Sequence, residues 1–240
     1  MNTPAGVERC LSFINCQAQS PFRMKPGPEL CTQKRAVTIS RQSGCGGRIV
    51  AEMLSRYLQS HSPPRTPAWT ILDRNLVETV LADHHLPVRL ARFMPEDRVR
   101  EIDDIMDELF GLHPPSWTLV QQTSETILRL VELGNVIVLG RGANVITAKL
   151  PQVAHVRMVG SLERRIERRQ DFESLDKKEA ANRIRQEDLG RERYFRKHFN
   201  RDIDDPLLYH LIINTDFILP EAAARLIGDL VLPAVRVTSV

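Results

Sequence analysis

The stretch AVTISRQSGCGGRIVA, running from Ala36 to Ala51, reads as a buried strand, a glycine-rich turn and the start of a helix. Val37, Thr38 and Ile39 favour a strand, and Ala36–Ile39 has the unbroken apolar character of a strand covered on both faces of a parallel sheet. Gly44, Gly46 and Gly47 allow backbone angles closed to other residues and a close approach of main chain to a ligand. Ile49, Val50, Met53, Leu54 and Tyr57 then recur at helical spacing. A helix starting near Gly46 or Gly47 would aim its unpaired N–H groups and the positive end of its dipole at the turn, which makes an anion site.

The common phosphate loop reads G-x-x-x-x-G-K-[ST]. With Gly46 on its second glycine, Arg41 falls on the first, Gly47 on the lysine and Arg48 on the hydroxyl residue. The chain has no Gly-Lys pair. Arg41 and Arg48 are the candidates to supply the missing charge, since a guanidinium grips phosphate oxygens in pairs. The other reading is an ordinary strand-to-helix turn with solvent-facing arginines.

Working outward, short apolar runs alternate with helical patterns. Trp69–Leu72, Val136–Leu139, Val153–Val159 and Tyr209–Ile213 read as strands. Helices are expected from Asp73 to about His84, over Pro95–Phe110, Trp117–Leu133, Ser161–Arg169 and Lys177–Phe199, and over Pro220–Leu230. Gly134 and Asn135 end the helix before Val136. Between Glu96 and Glu108 seven acidic residues stand against two basic ones, an acidic helix. From Arg157 to Arg201 fourteen Lys/Arg face nine Asp/Glu, and the helices there are basic. Strands alternating with helices mean an α/β fold with a central parallel sheet. Ligands of such sheets sit beyond the carboxyl ends of the strands. The polar residues to watch are therefore Ser40–Arg48, Asp73-Arg74-Asn75, Gly140-Arg141-Gly142 and Asn214-Thr215-Asp216. Arg141, just past a buried strand, is costly unless it meets an anion. An ion pair with Asp73 is the alternative, and both stay open at this point.

The chain of 240 residues suffices for one α/β domain with small appendages. Its 42% hydrophobic and 26% charged content is ordinary for a globular protein. A net charge of +3 is too small to make nucleic acid or a membrane the main partner. Cys10, Cys16, Cys31 and Cys45 form no C-x-x-C pair, so neither a zinc site nor a disulfide framework is indicated. Glu8 and Arg9 interrupt the start before any long apolar run, and no stretch approaches a bilayer span, which reads as cytoplasmic. The adjacent His84 and His85 diverge on a helix and make no metal pair. Cys45 reads as a small filler in the loop, with a helix-end thiolate as the alternative. Residues 1–34, with Pro21, Pro26, Gly27 and Pro28, read as a short helix and tether, either a homodimer contact or a cover.

Taken in order, these residues resemble the cytidylate kinase-like family, a branch of the P-loop nucleoside monophosphate kinases whose loop reads S-R-Q-x-G-x-G-G-R. Here that is Ser40-Arg41-Gln42-Ser43-Gly44-Cys45-Gly46-Gly47-Arg48. Leu72-Asp73-Arg74, Gly140-Arg141-Gly142-Ala143, Asp188-x-x-Arg191-x-x-Tyr194 and Ile212-Ile213-Asn214-Thr215 continue it. The resemblance implies a P-loop NTPase fold: a three-layer α/β/α domain over residues 35–232 with a central parallel sheet. It also implies a helical acceptor-binding insert at about Leu76–Leu130 and a basic lid within Arg169–Arg201. Residues 233–240 remain as a tail.

The activity implied is transfer of a phosphoryl group from ATP, with Mg²⁺, to a nucleoside monophosphate, CMP or dCMP first, or to a related small acceptor. The alternatives are a nucleotide-binding regulator on the same fold and an interaction module keeping only the scaffold. Carried over, Ser40–Arg48 bind the donor, with the N–H groups of Gly44–Arg48 cradling its phosphates and Arg48, helped by Arg41, offsetting their charge. Arg141 binds the acceptor phosphate or the transferring group, Arg191 and Arg193 close from the lid, and Asp73 and Arg74 belong to the acceptor side. Asp73 also offers a contact to Mg²⁺ through water. Four departures stand out: Gly47 for the loop lysine, Arg48 for a hydroxyl Mg²⁺ ligand, Gly142 for an acidic residue and Thr79 for an arginine.

Overall fold

The computed structural model describes residues 36–64, 66–73, 96–110 and 118–232. Arg74, Thr79, the histidine pair, residues 1–34 and the tail after 232 lie outside the described residues, as does nearly all of the helix expected after Asp73. The elements run β1 (Ala36–Arg41), α1 (Gly47–His61), β2 (Thr70–Leu72), α2 (Glu96–Phe110), α3 (Thr118–Leu133), β3 (Val136–Leu139), α4 (Ala143–Ile146), β4 (Val153–Val159), α5 (Leu162–Glu173), α6 (Lys177–Phe199), β5 (Leu211–Asn214) and α7 (Pro220–Val231). The five strands form one sheet in the order β2-β3-β1-β4-β5, and every pairing is parallel. The α/β expectation with a central parallel sheet is met.

The strands explain the layers. Successive side chains point to opposite faces. Ala36, Val136, Val138 and Val153 enter one core with Ile102 and Ile105 of α2 and Ile127, Leu128, Leu130 and Val131 of α3. Val37, Ile39, Ile137, Leu139, Ala154, Val156 and Met158 enter the other, with Val50, Ala51, Leu54 and Leu58 of α1 and Ala223, Ala224, Ile227 and Val231 of α7. Leu54 and Leu58 are wholly buried, and each such side chain contributes roughly 1.5–3 kcal/mol by leaving water. Helices thus lie on both faces, and β1, flanked by β3 and β4, is the strand from which the chain order runs both ways. That is the switch point at which a crevice opens beyond the carboxyl ends of the strands.

Apolar alternation fails at one place. On the first face, Thr38 and Ser40 of β1 stand beside His155 and Arg157 of β4, in register, and all four are buried. Thr38 Oγ1 and His155 Nδ1 are 2.9 Å apart, and Arg157 donates to Ser40 Oγ at 2.8 Å. This polar patch leads into the site.

Some boundaries shift from the sequence expectation. The last strand is Leu211–Asn214 rather than Tyr209–Ile213. Tyr209 instead turns its hydroxyl to the carbonyl of Ile203 at 2.7 Å. Residues Pro206–Leu208 form a 3₁₀ turn started by Asp205, whose carboxylate accepts from the N–H of Leu207. The helix expected over Ser161–Arg169 begins with Ser161 as its cap and continues to Glu173. The first strand runs on through Ser40 and Arg41.

Candidate functional site

The glycine loop is held by side chains that long sequence separations hide. Gln42 Oε1 accepts from the N–H of Gly160 at 3.0 Å, and the N–H of Gln42 reaches the carbonyl of Met158. Gly44 has φ +83°, and a Cβ there would lie 2.7 Å from the backbone oxygen of Arg165 in α5. Gly46 caps α1 in the left-handed region at φ 69° with no side-chain cap, and a Cβ there would meet nothing within 4 Å. With no side-chain cap, the first-turn N–H groups of α1 keep the donor capacity that suits an anion such as a phosphate. Cys45 is buried, and burial pushes its thiol up from the ordinary value against a hydrogen bond with Thr215. The filler reading fits this and the thiolate reading does not.

Arg41 is the residue the loop is built around. Its stem crosses Gly47, where a Cβ would sit 3.1 Å from Arg41 Cγ, and its guanidinium lies over Gly140, where a Cβ would come within 2.2 Å of Nη1. A side chain at Gly47, the position of the missing lysine, would press on the Arg41 stem, which would have to give by a few tenths of an ångström. Two glycines thus make room for an arginine from β1 to reach the cavity beside Gly140.

Gly140, Arg141 and Gly142 follow β3 with φ of 75°, 60° and 70°. For Arg141 this left-handed backbone is strained by about 1 kcal/mol or more, a cost that clusters where geometry serves a site. Ser40, Arg41, Gly140, Arg141, Asn144 and Arg191 line a cavity of about 360 Å³, with Glu187 and Tyr194 at its α6 wall. Among the described residues the side chains of Arg41 and Arg141 make no hydrogen bond or ion pair. Asn144 is 4% exposed, and its Nδ2 is buried without a partner. Donors without acceptors are the chemistry of an anion seat. Burial first, then the neighbouring charges of Arg191 and Arg141, lower the Arg41 guanidinium from its ordinary range to about 10.

A base whose value is depressed by folding costs stability at every pH below that value, and the cost is withdrawn as pH rises from about 10 toward the ordinary arginine range. At neutral pH the fold bears this cost, and an anion placed beside Arg41 would offset it. Arg41→Met keeps the stem and removes the charge. Without ligand it is expected to melt a few degrees higher, on the order of 1 kcal/mol, while losing stabilisation by phosphate-bearing ligands. Thermal melts of both proteins with and without ligand check this.

The expected site residues divide as follows. Ser40, Arg41, Arg141 and Arg191 converge on the cavity. Arg48 does not line it. It is exposed and bonds Glu52 at 3.1 Å and Asp73 at 2.8 Å, which brings Arg48 and Asp73 together at the rim of the loop. Arg193 is exposed on α6, two residues from Arg191 and so turned to another face. Gln42, Ser43 and Cys45 build the loop from beneath. For Mg²⁺, the one expected contact, Asp73, is in place beside Arg48, and no group of three His, Cys, Asp or Glu able to hold a metal stands together among the described residues. That donor set fits an ion carried mainly on a ligand's phosphates.

Other residues were not singled out from the sequence. Arg157, 3% exposed, fixes Ser40 and bonds Asp204 at 2.5 Å, under the ring of Tyr209. Arg165 grips the carbonyl of Ser43 at 3.0 Å. Asn144 was hidden because only its neighbours Gly140–Ala143 belonged to a recognisable motif. Phe199, at the end of α6, fills the space at Gly142: a Cβ there would be 2.2 Å from its ring. Burial alone pushes the Glu187 carboxyl up, but hydrogen bonds from Ser43 and Arg169 outweigh it and hold the group below its ordinary value.

No helix among the described residues is long and apolar enough to cross a membrane. The family model described as cytidylate kinase-like matches residues 36–217. The crystal structure of an uncharacterized protein from Eubacterium ventriosum ATCC 27560 matches with TM-score 0.53 and 18% identity, covering 83% of this chain and 98% of that one; it shares the fold. The structure of shikimate kinase from Bacteroides thetaiotaomicron matches with TM-score 0.44 and 12% identity over 81% of this chain and 96% of that one. No curated protein matches.

Proposed function

Because this chain belongs to the cytidylate kinase-like family, we propose that it is an ATP-dependent phosphotransferase whose acceptor is a nucleoside monophosphate, CMP or dCMP first. The observation that carries the reading is the cavity at the ends of β1 and β3. It places two guanidiniums and an amide N–H that have no partner among the described residues, from Arg41, Arg141 and Asn144, around one space.

Phosphoryl transfer asks a protein mainly for positioning and for positive charge where charge is redistributed. On this reading the N–H groups of Gly44–Arg48 cradle the donor phosphates of ATP. Arg41, threaded across Gly47, supplies the charge that a loop lysine supplies elsewhere. Arg141 and Asn144 hold the acceptor phosphate. Arg191 of the lid faces the same space and closes on the transferring group. Arg48 leaves Asp73 to offset the donor phosphates at the rim, and Arg193 reaches the phosphates only if the lid turns. Mg²⁺ would be held on the phosphates, with Asp73 nearby through water, and would neutralise their charge.

A second reading is favoured by one observation: the N–H of Ser43 is already taken by Asp188 at 2.7 Å. On that reading the chain binds nucleotide as a regulator without transfer. Thermal melts separate the two. A kinase has two sites, so ATP with Mg²⁺ and a monophosphate each raise the melting temperature and their effects add. CMP, dCMP, UMP, AMP and GMP rank the acceptors, with cytidine as the phosphate-free control. A shift from ATP alone, with none from any monophosphate, would favour the regulator.

A further inference from the structure

Asp188-x-x-Arg191-x-x-Tyr194 is the one recognisable motif that the reading above leaves partly unexplained. Spacings of three and four put Arg183, Glu187, Asp188, Arg191 and Tyr194 along one side of α6. Arg191 and Tyr194 reach the cavity wall, together with Glu187. Asp188 and Glu187 reach the loop. Asp188 Oδ1 accepts from the Ser43 N–H at 2.7 Å and from Arg191 at 2.8 Å. Its other oxygen accepts from Arg165 at 2.6 Å.

Glu187 completes the arrangement. Its Oε2 accepts from Ser43 Oγ at 2.7 Å and from Arg191 at 3.2 Å. Its Oε1 accepts from Arg169 at 2.6 Å. Arg169 also donates to Ser43 Oγ at 3.3 Å.

A backbone N–H, a hydroxyl and three guanidiniums from α5 and α6 therefore converge on carboxylate oxygens inside a glycine loop. This donor set is what a phosphate's oxygens require. The carboxylates carry the right charge and hydrogen-bonding capacity to stand in for them. The same contacts hold the cavity-lining Arg191 by two bonds to carboxylates.

We propose that the niche around Ser43, Arg165, Arg169 and Arg191 is a binding site for phosphoryl oxygens whose resident occupant is the chain's own Glu187–Asp188 pair, so that a polyphosphate binds by displacing them. The proposal rests on the reading that the glycine loop holds phosphate. Displacement has two consequences. Phosphate affinity is lowered by the fraction of molecules in which the carboxylates hold the niche. Binding also frees Arg191 from both carboxylates and turns it toward the ligand, so that the loop and the arginine become available together.

The probe is inorganic tripolyphosphate, titrated by calorimetry into wild type, Asp188→Asn and Glu187→Gln, with ATP run in parallel. Each substitution keeps shape and removes a competing charge. The expected result is tripolyphosphate binding about tenfold tighter in either variant than in wild type. In wild type labelled with ¹⁵N-serine, the Ser43 amide resonance moves on saturation with tripolyphosphate, and this readout holds even if a variant folds poorly. Equal or weaker binding in the variants, or a Ser43 amide that stays in place at saturation, overturns the proposal. If ATP binds and is turned over while the variants bind tripolyphosphate no tighter, displacement fails and the kinase reading stands. If the variants bind tripolyphosphate more tightly but no acceptor is ever phosphorylated, displacement stands and the kinase reading fails. If neither probe binds any of the three proteins, both are overturned.

Discussion

Arg141→Ala is expected to lower acceptor-dependent kcat/KM by about 10²–10³-fold, about 2.7–4 kcal/mol of transition-state stabilisation. Three facts set the size. Arg141 has no protein acceptor among the described residues, so its guanidinium is free for a ligand. It lines the same cavity as Arg41 and Arg191. It is held in the left-handed backbone region at φ 60° between two glycines, an arrangement with a cost. Because the arginine is unpaired, its removal leaves no buried carboxylate behind, and the fold should melt within a few degrees of wild type. Steady-state kinetics and a thermal melt check the two halves together. Arg48→Ala is the contrast. Arg48 is exposed and occupied by Glu52 and Asp73, and exposed pairs of this kind contribute at most about 1 kcal/mol, so its loss should cost activity far less than that of Arg141.

Gly44→Ala is expected to destabilise the protein by about 2–4 kcal/mol and to abolish nucleotide binding. Two penalties act at one atom. The backbone at φ +83° is one that a side chain rarely adopts, and the new methyl would stand 2.7 Å from the carbonyl oxygen of Arg165. The obstacle is main chain of α5, which cannot turn aside as a side-chain tip would. Relief requires α5 and the loop to separate. That separation would also break the Arg165 bonds to Ser43 and Asp188. Gly46→Ala is the control. It carries a similar positive φ with open space around it, so it should pay the backbone strain alone. Denaturant melts of the two variants compare the costs, and calorimetry with ATP reads the binding.

The layers of this fold were legible because they follow from local pattern. Ala36–Ile39 and Val136–Leu139 are largely apolar runs bounded by turn residues, Val153–Val159 is apolar but for His155 and Arg157, and each lies in a strand. The glycine loop and the helix after it were legible for the same reason. The start of β5 was not, because the side chains of Tyr209 and His210 are drawn to partners outside the strand: Tyr209 to Ser40 and to the nearby carbonyl of Ile203, and His210 to the N–H of His155. Sequence put Arg141 at the end of a buried strand and left open whether it met Asp73 or an anion. The three-dimensional arrangement gives Asp73 to Arg48 and leaves Arg141 facing the cavity.

Arg41 and Arg48 could not be ranked from spacing, since their difference is one of direction. Arg41 is threaded between Gly47 and Gly140, whereas Arg48 points along the outside of α1. The carboxylates on Ser43 come from more than 140 positions away, and no local signal announces them. Arg74 and Thr79, which the resemblance places on the acceptor side, lie outside the described residues.

The most direct test of the phosphotransferase reading is ADP formation by purified protein with ATP, Mg²⁺ and CMP, run for wild type and Arg141→Ala side by side with the product identified by mass. The reading predicts ADP that depends on added CMP, a matching amount of CDP, and loss of both in the variant. No CMP-dependent ADP, at concentrations where ATP and CMP each stabilise the fold, would contradict it.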